Sequence, residues 1–157
     1  MKNNNNIKFT DLGYLTNIKY IYHISDVHIQ LYKRHNEYLE QFDKLYLYLK
    51  QEKTKYSIPQ NKTNEIPLIC CITGDVLHSK TDLSPECIQI CYQFFNNISK
   101  IMPLVIIPGN HDVNMNNKTR LDSLTPIIGD LPNIKPVKYL KDTGLYFMGN
   151  IIFSHAS

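Results

Sequence analysis

Three short apolar runs alternate with two amphipathic stretches, and that alternation leaves the chain few architectures. Residues 18–24 (IKYIYHI), 66–73 (IPLICCIT) and 104–107 (LVII) are β-branched, aromatic or wholly apolar, and too short for helices. Between the first two, residues 36–52 repeat apolar side chains at helical spacing: Tyr38, Phe42, Leu45 and Leu49, flanked by Leu39 and Tyr46. Asn36 suits the N-cap, and Glu37 and Glu40 in the first turn suit the helix dipole. Between the second and third runs, Ser84-Pro85 announces a second helix reaching about Lys100, with Cys87, Cys91, Phe94 and Ile98 as its stripe. Strand–helix–strand–helix–strand predicts two right-handed crossovers and three parallel, buried strands in an α/β fold.

The flanks are less patterned. Residues 1–17 are polar and irregular and are expected to be a flexible lead-in to a domain spanning 18–157. Residues 54–65 and 114–118 read as loops, and residues 120–128 as a short helix. Residues 137–140 and 145–153 read as strands of a hairpin around Asp142-Thr143-Gly144.

Composition excludes several classes. The chain has 157 residues, enough for one domain with a core, and at 43% hydrophobic it is globular. Its net charge of +3 permits a polyanionic partner without arguing for one, because Lys and Arg form no dense cluster. Cys70/Cys71 and Cys87/Cys91 lack zinc-ribbon or redox spacing and read as buried, reduced thiols. No apolar run is long enough to span a bilayer and the start lacks a signal-peptide core, so an intracellular protein is expected, with no membrane partner.

The chemistry gathers where the three strands end. The first closes on Ser25-Asp26-Val27-His28, the second on Gly74-Asp75, the third on Pro108-Gly109-Asn110-His111-Asp112. Parallel strands put these ends on one edge, where ligands of open α/β sheets bind. Asp26 and His28, two apart in extended chain, would point the same way. Asp75 on a Gly turn could give one oxygen to each of two ions, and Asn110 a neutral oxygen. Such mixed nitrogen and oxygen donors suit Mn²⁺, with Fe or Zn²⁺ as alternatives. Two ions roughly 3.5–4 Å apart activate water and clamp a phosphoryl group. His111 is then the acid, Asp112 the group that orients its imidazole, and His78 a side contact to the phosphate. Any one of these residues alone is more simply a turn carboxylate or a surface histidine. His23 and His35 carry no motif.

Taken together, Asp26-Val27-His28, Gly74-Asp75 and Gly109-Asn110-His111-Asp112 resemble the calcineurin-like metallophosphoesterases. Gly74-Asp75-Val76-Leu77-His78-Ser79 and Arg120-Leu121 look closest to the SbcD-type DNA repair nucleases. The resemblance covers about residues 18–125. It implies an α-β-β-α sandwich, two divalent ions, hydrolysis of a phosphodiester such as DNA, and an ATPase partner subunit. His78-Ser79-Lys80 and Asp112 depart from the pattern of the Ser/Thr protein phosphatases in that superfamily. The family completes its metal site with late histidines, including a Gly-His-x-His that this sequence lacks; His155 is the single candidate for the first of them. The expectation is therefore the N-terminal portion of the domain, incomplete at its C-terminus. A non-catalytic relative and a small-substrate phosphatase or nucleotide phosphodiesterase are the alternatives.

Overall fold

The computed structural model describes residues 8–13, 17–31, 33–56, 67–113, 120–132 and 137–156. Strand β1 (Lys8–Asp11) is followed by β2 (Tyr20–Ile24), helix α1 (His35–Tyr56), β3 (Leu68–Thr73), α2 (Pro85–Ile101) and β4 (Leu104–Ile107). The short helix α3 (Leu124–Gly129), then β5 (Val137–Tyr139), β6 (Gly144–Met148) and β7 (Ile151–His155), complete the order. Four parallel strands make the first sheet in the order β2-β3-β4-β5. A strand order that follows the chain, with crossovers of one hand, places α1, α2 and α3 on one face of that sheet. α1 packs on α2 and α2 on α3, as this requires.

Two cores result, one on each face of the sheet. Against the helices, Leu68, Cys70, Ile72, Leu104 and Ile106 meet Phe42, Leu49, Phe94, Phe95 and Ile98. On the other face, Ile69, Cys71 and Val105 meet Tyr146, Met148 and Leu140. Alternate residues of β3 thus face opposite cores, as the period of a strand requires. The inner face of the second sheet, ordered β1-β6-β7, closes the second core. The described residues therefore form three layers (helices, sheet, sheet) of the expected α/β sandwich, and no described helix covers the outer face of the second sheet. All four cysteines are free and buried, and burial pushes the Cys70 thiol up to about 12 and Cys71 to about 11. Among the described residues, no helix is long and apolar enough to cross a membrane.

Four expectations are corrected here. Residues 8–11 do not belong to a flexible lead-in: they pair in parallel with β6, and Leu12 is buried in the second core. Residues 1–7 and 14–16 lie outside the described residues, as do 57–65 of the predicted loop, the first residue of the predicted second strand and all of 114–118. α1 runs four residues past Glu52, because Lys53 and Lys55 sit well in a last turn. β2 is an edge strand, with Ile21 46% exposed, and is not a buried one. The hairpin is β6–β7, turning at Gly149-Asn150, whereas Asp142-Thr143-Gly144 carries the chain from one sheet to the other. The alternation across residues 145–153 suits either pairing; a strand of the first sheet offering its free edge to 137–139 decided it.

Asp122 ties the late segment to the rest. Its carboxylate accepts from the amides of Leu124 and Thr125 and from the Thr125 hydroxyl, so it caps α3. The Tyr139 hydroxyl donates to it from β5, and Lys141 Nζ lies 3.6 Å away. Burial pushes this carboxyl up, but Thr125, Tyr139 and Lys141 outweigh burial and hold it below the ordinary carboxylate value. A depressed folded value means stabilisation that is full at neutral pH and lost as pH falls through that value. Asp122→Asn is expected to cost about 2 kcal/mol at pH 7. In urea titrations the gap to wild type should shrink as pH drops below the carboxylate range; a gap independent of pH would contradict this role.

Candidate metal centre

The parallel pairing of β2 with β3 continues past both strand ends. Asp26 N donates to Gly74 O at 3.2 Å, His28 N to Asp75 O at 2.9 Å and Ile29 N to Val76 O at 2.9 Å. These bonds keep the two ligand-bearing turns side by side. The backbone there is not extended, however. Asp26, His28 and Asp75 have φ of 56°, 50° and 51°, in the left-handed region. That conformation costs a residue with a side chain on the order of 1–3 kcal/mol and persists where surrounding bonds hold it. The expected mechanism by which Asp26 and His28 share a direction is thereby corrected: paired left-handed residues aim them, and extended chain does not. The Tyr38 hydroxyl, from α1, donates to His28 O at 2.6 Å and holds this turn from behind. Sequence placed Tyr38 only on the apolar face of the helix, and nothing in its spacing signals the hydroxyl's task.

The β3 and β4 turns meet through two glycines. A Cβ on Gly74, itself at φ 90°, would lie 2.6 Å from Gly109 Cα, and a Cβ on Gly109 would collide with the backbone and carboxylate of Asp75. Asp75 Oδ1 accepts from His111 N at 2.9 Å, which orients the carboxylate across the gap between the turns. Asp112 is fully buried beneath them. It accepts from Gly109 N at 2.9 Å, Leu77 N at 3.1 Å and Val76 N at 3.4 Å. Burial raises its carboxyl above the ordinary value, with Asp75's charge adding to that, against the pull of the three amides. Asp112 therefore joins the β3 turn to the β4 turn and does not orient the His111 ring. That ring is held instead by its Nδ1, 2.7 Å from the carbonyl oxygen of His78.

The strand ends converge. Ligand atoms of Asp26, His28 and Asp75 all lie within 4.8 Å of one another, with Asp26 Oδ1 3.8 Å from His28 Nε2. His28 Nδ1 is buried without a hydrogen-bond partner. Two carboxylates beside an imidazole with an unsatisfied nitrogen fit a divalent cation. His28 and His111 have ring centroids 4.9 Å apart, and exposed His78 stands 5.6 Å and 5.9 Å from them. Asn110 is exposed on the turn between Gly109 and His111, at this same edge. His155 is outside these clusters. β7 runs antiparallel to β6 and brings His155 opposite Gly144, near Lys141 and Asp142, where burial lowers its pKa. Its Nε2 is buried without a partner. His23, given no role, pairs with Thr73 on the neighbouring strand.

A profile of the calcineurin-like phosphoesterases matches residues 19–156, which includes every one of these strand ends. The chain belongs to the calcineurin-like phosphoesterase family. It is also 46% identical, over 142 residues, to a protein of Acanthamoeba polyphaga mimivirus known only as uncharacterized protein R555. That alignment covers 90% of this chain and 10% of the viral protein, so the chain spans about a tenth of its relative's length. In a calcineurin-like phosphoesterase, the contact of Gly74 with Gly109 sets how near Asp75 stands to the β4 turn. Gly109→Ala is expected to weaken divalent-metal binding by about tenfold or more and to cost about 1–3 kcal/mol, because a Cβ must displace Asp75. Calorimetric titration with divalent cations and urea unfolding read the two effects, and unchanged metal affinity would show that the close approach is dispensable.

Proposed function

We propose that the protein is a divalent-metal-dependent phosphodiesterase of the SbcD type, with DNA as substrate. The observation that carries this is the gathering of Asp26, His28 and Asp75 beside His111 at one sheet edge. Two bound ions, Mn²⁺ in first place, would supply Lewis-acid polarisation of the phosphoryl group and a nucleophile at neutral pH. Asp26 and His28 would hold one ion, Asp75 would contribute to both, and Asn110 would serve the second. His155, at the same end of the molecule, is the candidate to join them. The likeness to the N-terminal part of an SbcD-type domain, with further ligands from outside these residues, belongs to the same proposal, as does an ATPase partner subunit.

The chain's own groups do the rest. The bond from His111 Nδ1 to the His78 carbonyl leaves Nε2 facing the site. In its protonated form His111 gives the Nε2 proton to the leaving oxygen, and His78, exposed beside it, steadies a phosphate oxygen. Asp112 touches neither; it keeps the turn that carries His111 in place. Beside this edge lies a groove of about 500 Å³ between α2 and α3, lined by Lys80, Arg120, Tyr92 and Leu121. Two cations with an aromatic ring suit a nucleic-acid strand, by phosphate neutralisation and base stacking.

His155 standing outside the cluster favours a second reading, a relative that binds metal weakly and does not turn over. Manganese-dependent cleavage of a phosphodiester ester, and faster cleavage of single-stranded DNA than of nucleotides, is the outcome expected of the first. Asp75→Ala should abolish it, and His111→Asn should lower kcat by about 10²–10⁴. Undiminished cleavage in Asp75→Ala would remove Asp75 from the site, and no Mn²⁺ binding by calorimetry would favour the second reading.

A further inference from the structure

Away from the ligand turns, the flank where α1 lies against β2 has a composition that packing alone does not call for. β2 is the edge of its sheet among the described residues, and from Tyr20 to Ile24 it carries no Lys, Arg, Asp or Glu. Edge strands facing water ordinarily carry a charge or a proline that blocks association. Here the edge and the neighbouring helix present tyrosines instead. Tyr20 and Tyr56 have ring centroids 4.1 Å apart, and Tyr22 meets Tyr48 edge-on at 6.2 Å. Tyr22 is fixed by its hydroxyl, which donates to Glu52 at 2.7 Å. Tyr48 and Tyr20 nevertheless stay 50% and 41% exposed, so much of each ring remains open to solvent.

Cations are interleaved with these rings. Lys44, Tyr48 and Lys55 share one face of α1, because four and seven residues each bring a helix back to the same side. Lys55 Nζ stands 4.8 Å from the centroid of the Tyr56 ring and 3.6 Å from Glu52. The same face leads back through Gln41 to a groove of about 410 Å³ at the start of α1. Its lining includes Val27, which sits between Asp26 and His28, so the flank opens on the edge where the candidate ligands gather.

We propose that this flank is a track for single-stranded nucleic acid, with bases stacked on Tyr48 and Tyr20 and phosphates neutralised by Lys44 and Lys55. Open aromatic rings and interleaved cations are what a single strand requires, whereas a duplex hides the faces of its bases. A protein strand added to β2 would bind through backbone bonds and have no need of the cations. From Gln41 to Tyr56 the helix rises about 22 Å, at about 1.5 Å per residue. A stacked strand at about 3.4 Å per nucleotide covers that length with about six nucleotides. The track lies on one side of the metal edge, and the groove between α2 and α3 on the other. That the strand held here is the one presented for cleavage rests on the function proposed above; the binding itself does not.

The test reads binding by the intact chain with no metal present, from the anisotropy of fluorescein-labelled oligothymidines. Two lengths bracket the track, on the order of three and twelve nucleotides. Wild type should bind the longer oligomer about tenfold or more tighter than the shorter, and tighter than a duplex of equal length. Tyr48→Ala should weaken binding of the longer oligomer by about tenfold, whereas Tyr48→Phe, which keeps the ring, should stay within about twofold. Lys44→Ala should lower the slope of log affinity against log salt by about 0.7, the value for one phosphate contact on a single strand. Both positions are exposed, and unchanged thermal melting confirms that the variants are folded. The proposal is overturned if Tyr48→Ala binds as wild type does, or if wild type binds duplex and single strand alike. Absence of binding to either oligomer overturns it too, in favour of a protein strand on the β2 edge. Failure of Mn²⁺-dependent cleavage, by contrast, sinks the phosphodiesterase reading and leaves the anisotropy result standing.

Discussion

The site depends on one buried carboxylate. Asp112 has no access to solvent, and three backbone amides, from Gly109, Val76 and Leu77, converge on it. Each partner needs the other. The amides at the ends of β3 and β4 would otherwise be buried donors without acceptors, at about 1–3 kcal/mol each. The carboxylate would otherwise be a bare charge in the interior, which proteins do not tolerate. Its own carbonyl then accepts from Ser123 N, and the Ser123 hydroxyl reaches Lys80 O, so the clamp extends to the segment after His78. Three stretches distant in sequence, 76–80, 109–112 and the one that holds Ser123, are locked into one edge by a residue that faces away from the ligand cluster.

Rigidity below is what permits strain above. Three candidate ligand residues in the left-handed region would relax if their turns were free. They do not, because β2, β3 and β4 are tied in register, with β3 buried on both faces by the helices and the second sheet. Sequential strand order with crossovers of one hand sends every strand end to the same edge and every helix to the same face. The second sheet is then free to cover the opposite face. The architecture thus separates tasks: two apolar cores give stability, and one polar edge, held by backbone bonds, carries the candidate ligands.

Much of this was legible in the residues. Apolar runs too short for helices, separated by helical periodicity, determined the βαβαβ core, because burial on both faces demands that pattern and few folds supply it. The same strand ends, Asp26, His28, Asp75, Asn110 and His111, were visible because parallel strands must deliver their ends together. What sequence could not decide was direction and pairing. The left-handed turns at Asp26 and His28, the role of Asp112 as a clamp and not an orienter, and the task of Tyr38 all depend on amides and carbonyls, which every residue has alike. The strand at Lys8–Asp11 and the β6–β7 hairpin were missed for a related reason: their patterns allow several partners, and only the free edges and uncovered faces of the assembled sheets select one. Local sequence determined which groups are present and roughly where. Tertiary structure decided which of them meet, because a hydrogen bond between backbones 30 or more residues apart leaves no mark on the side chains that flank it.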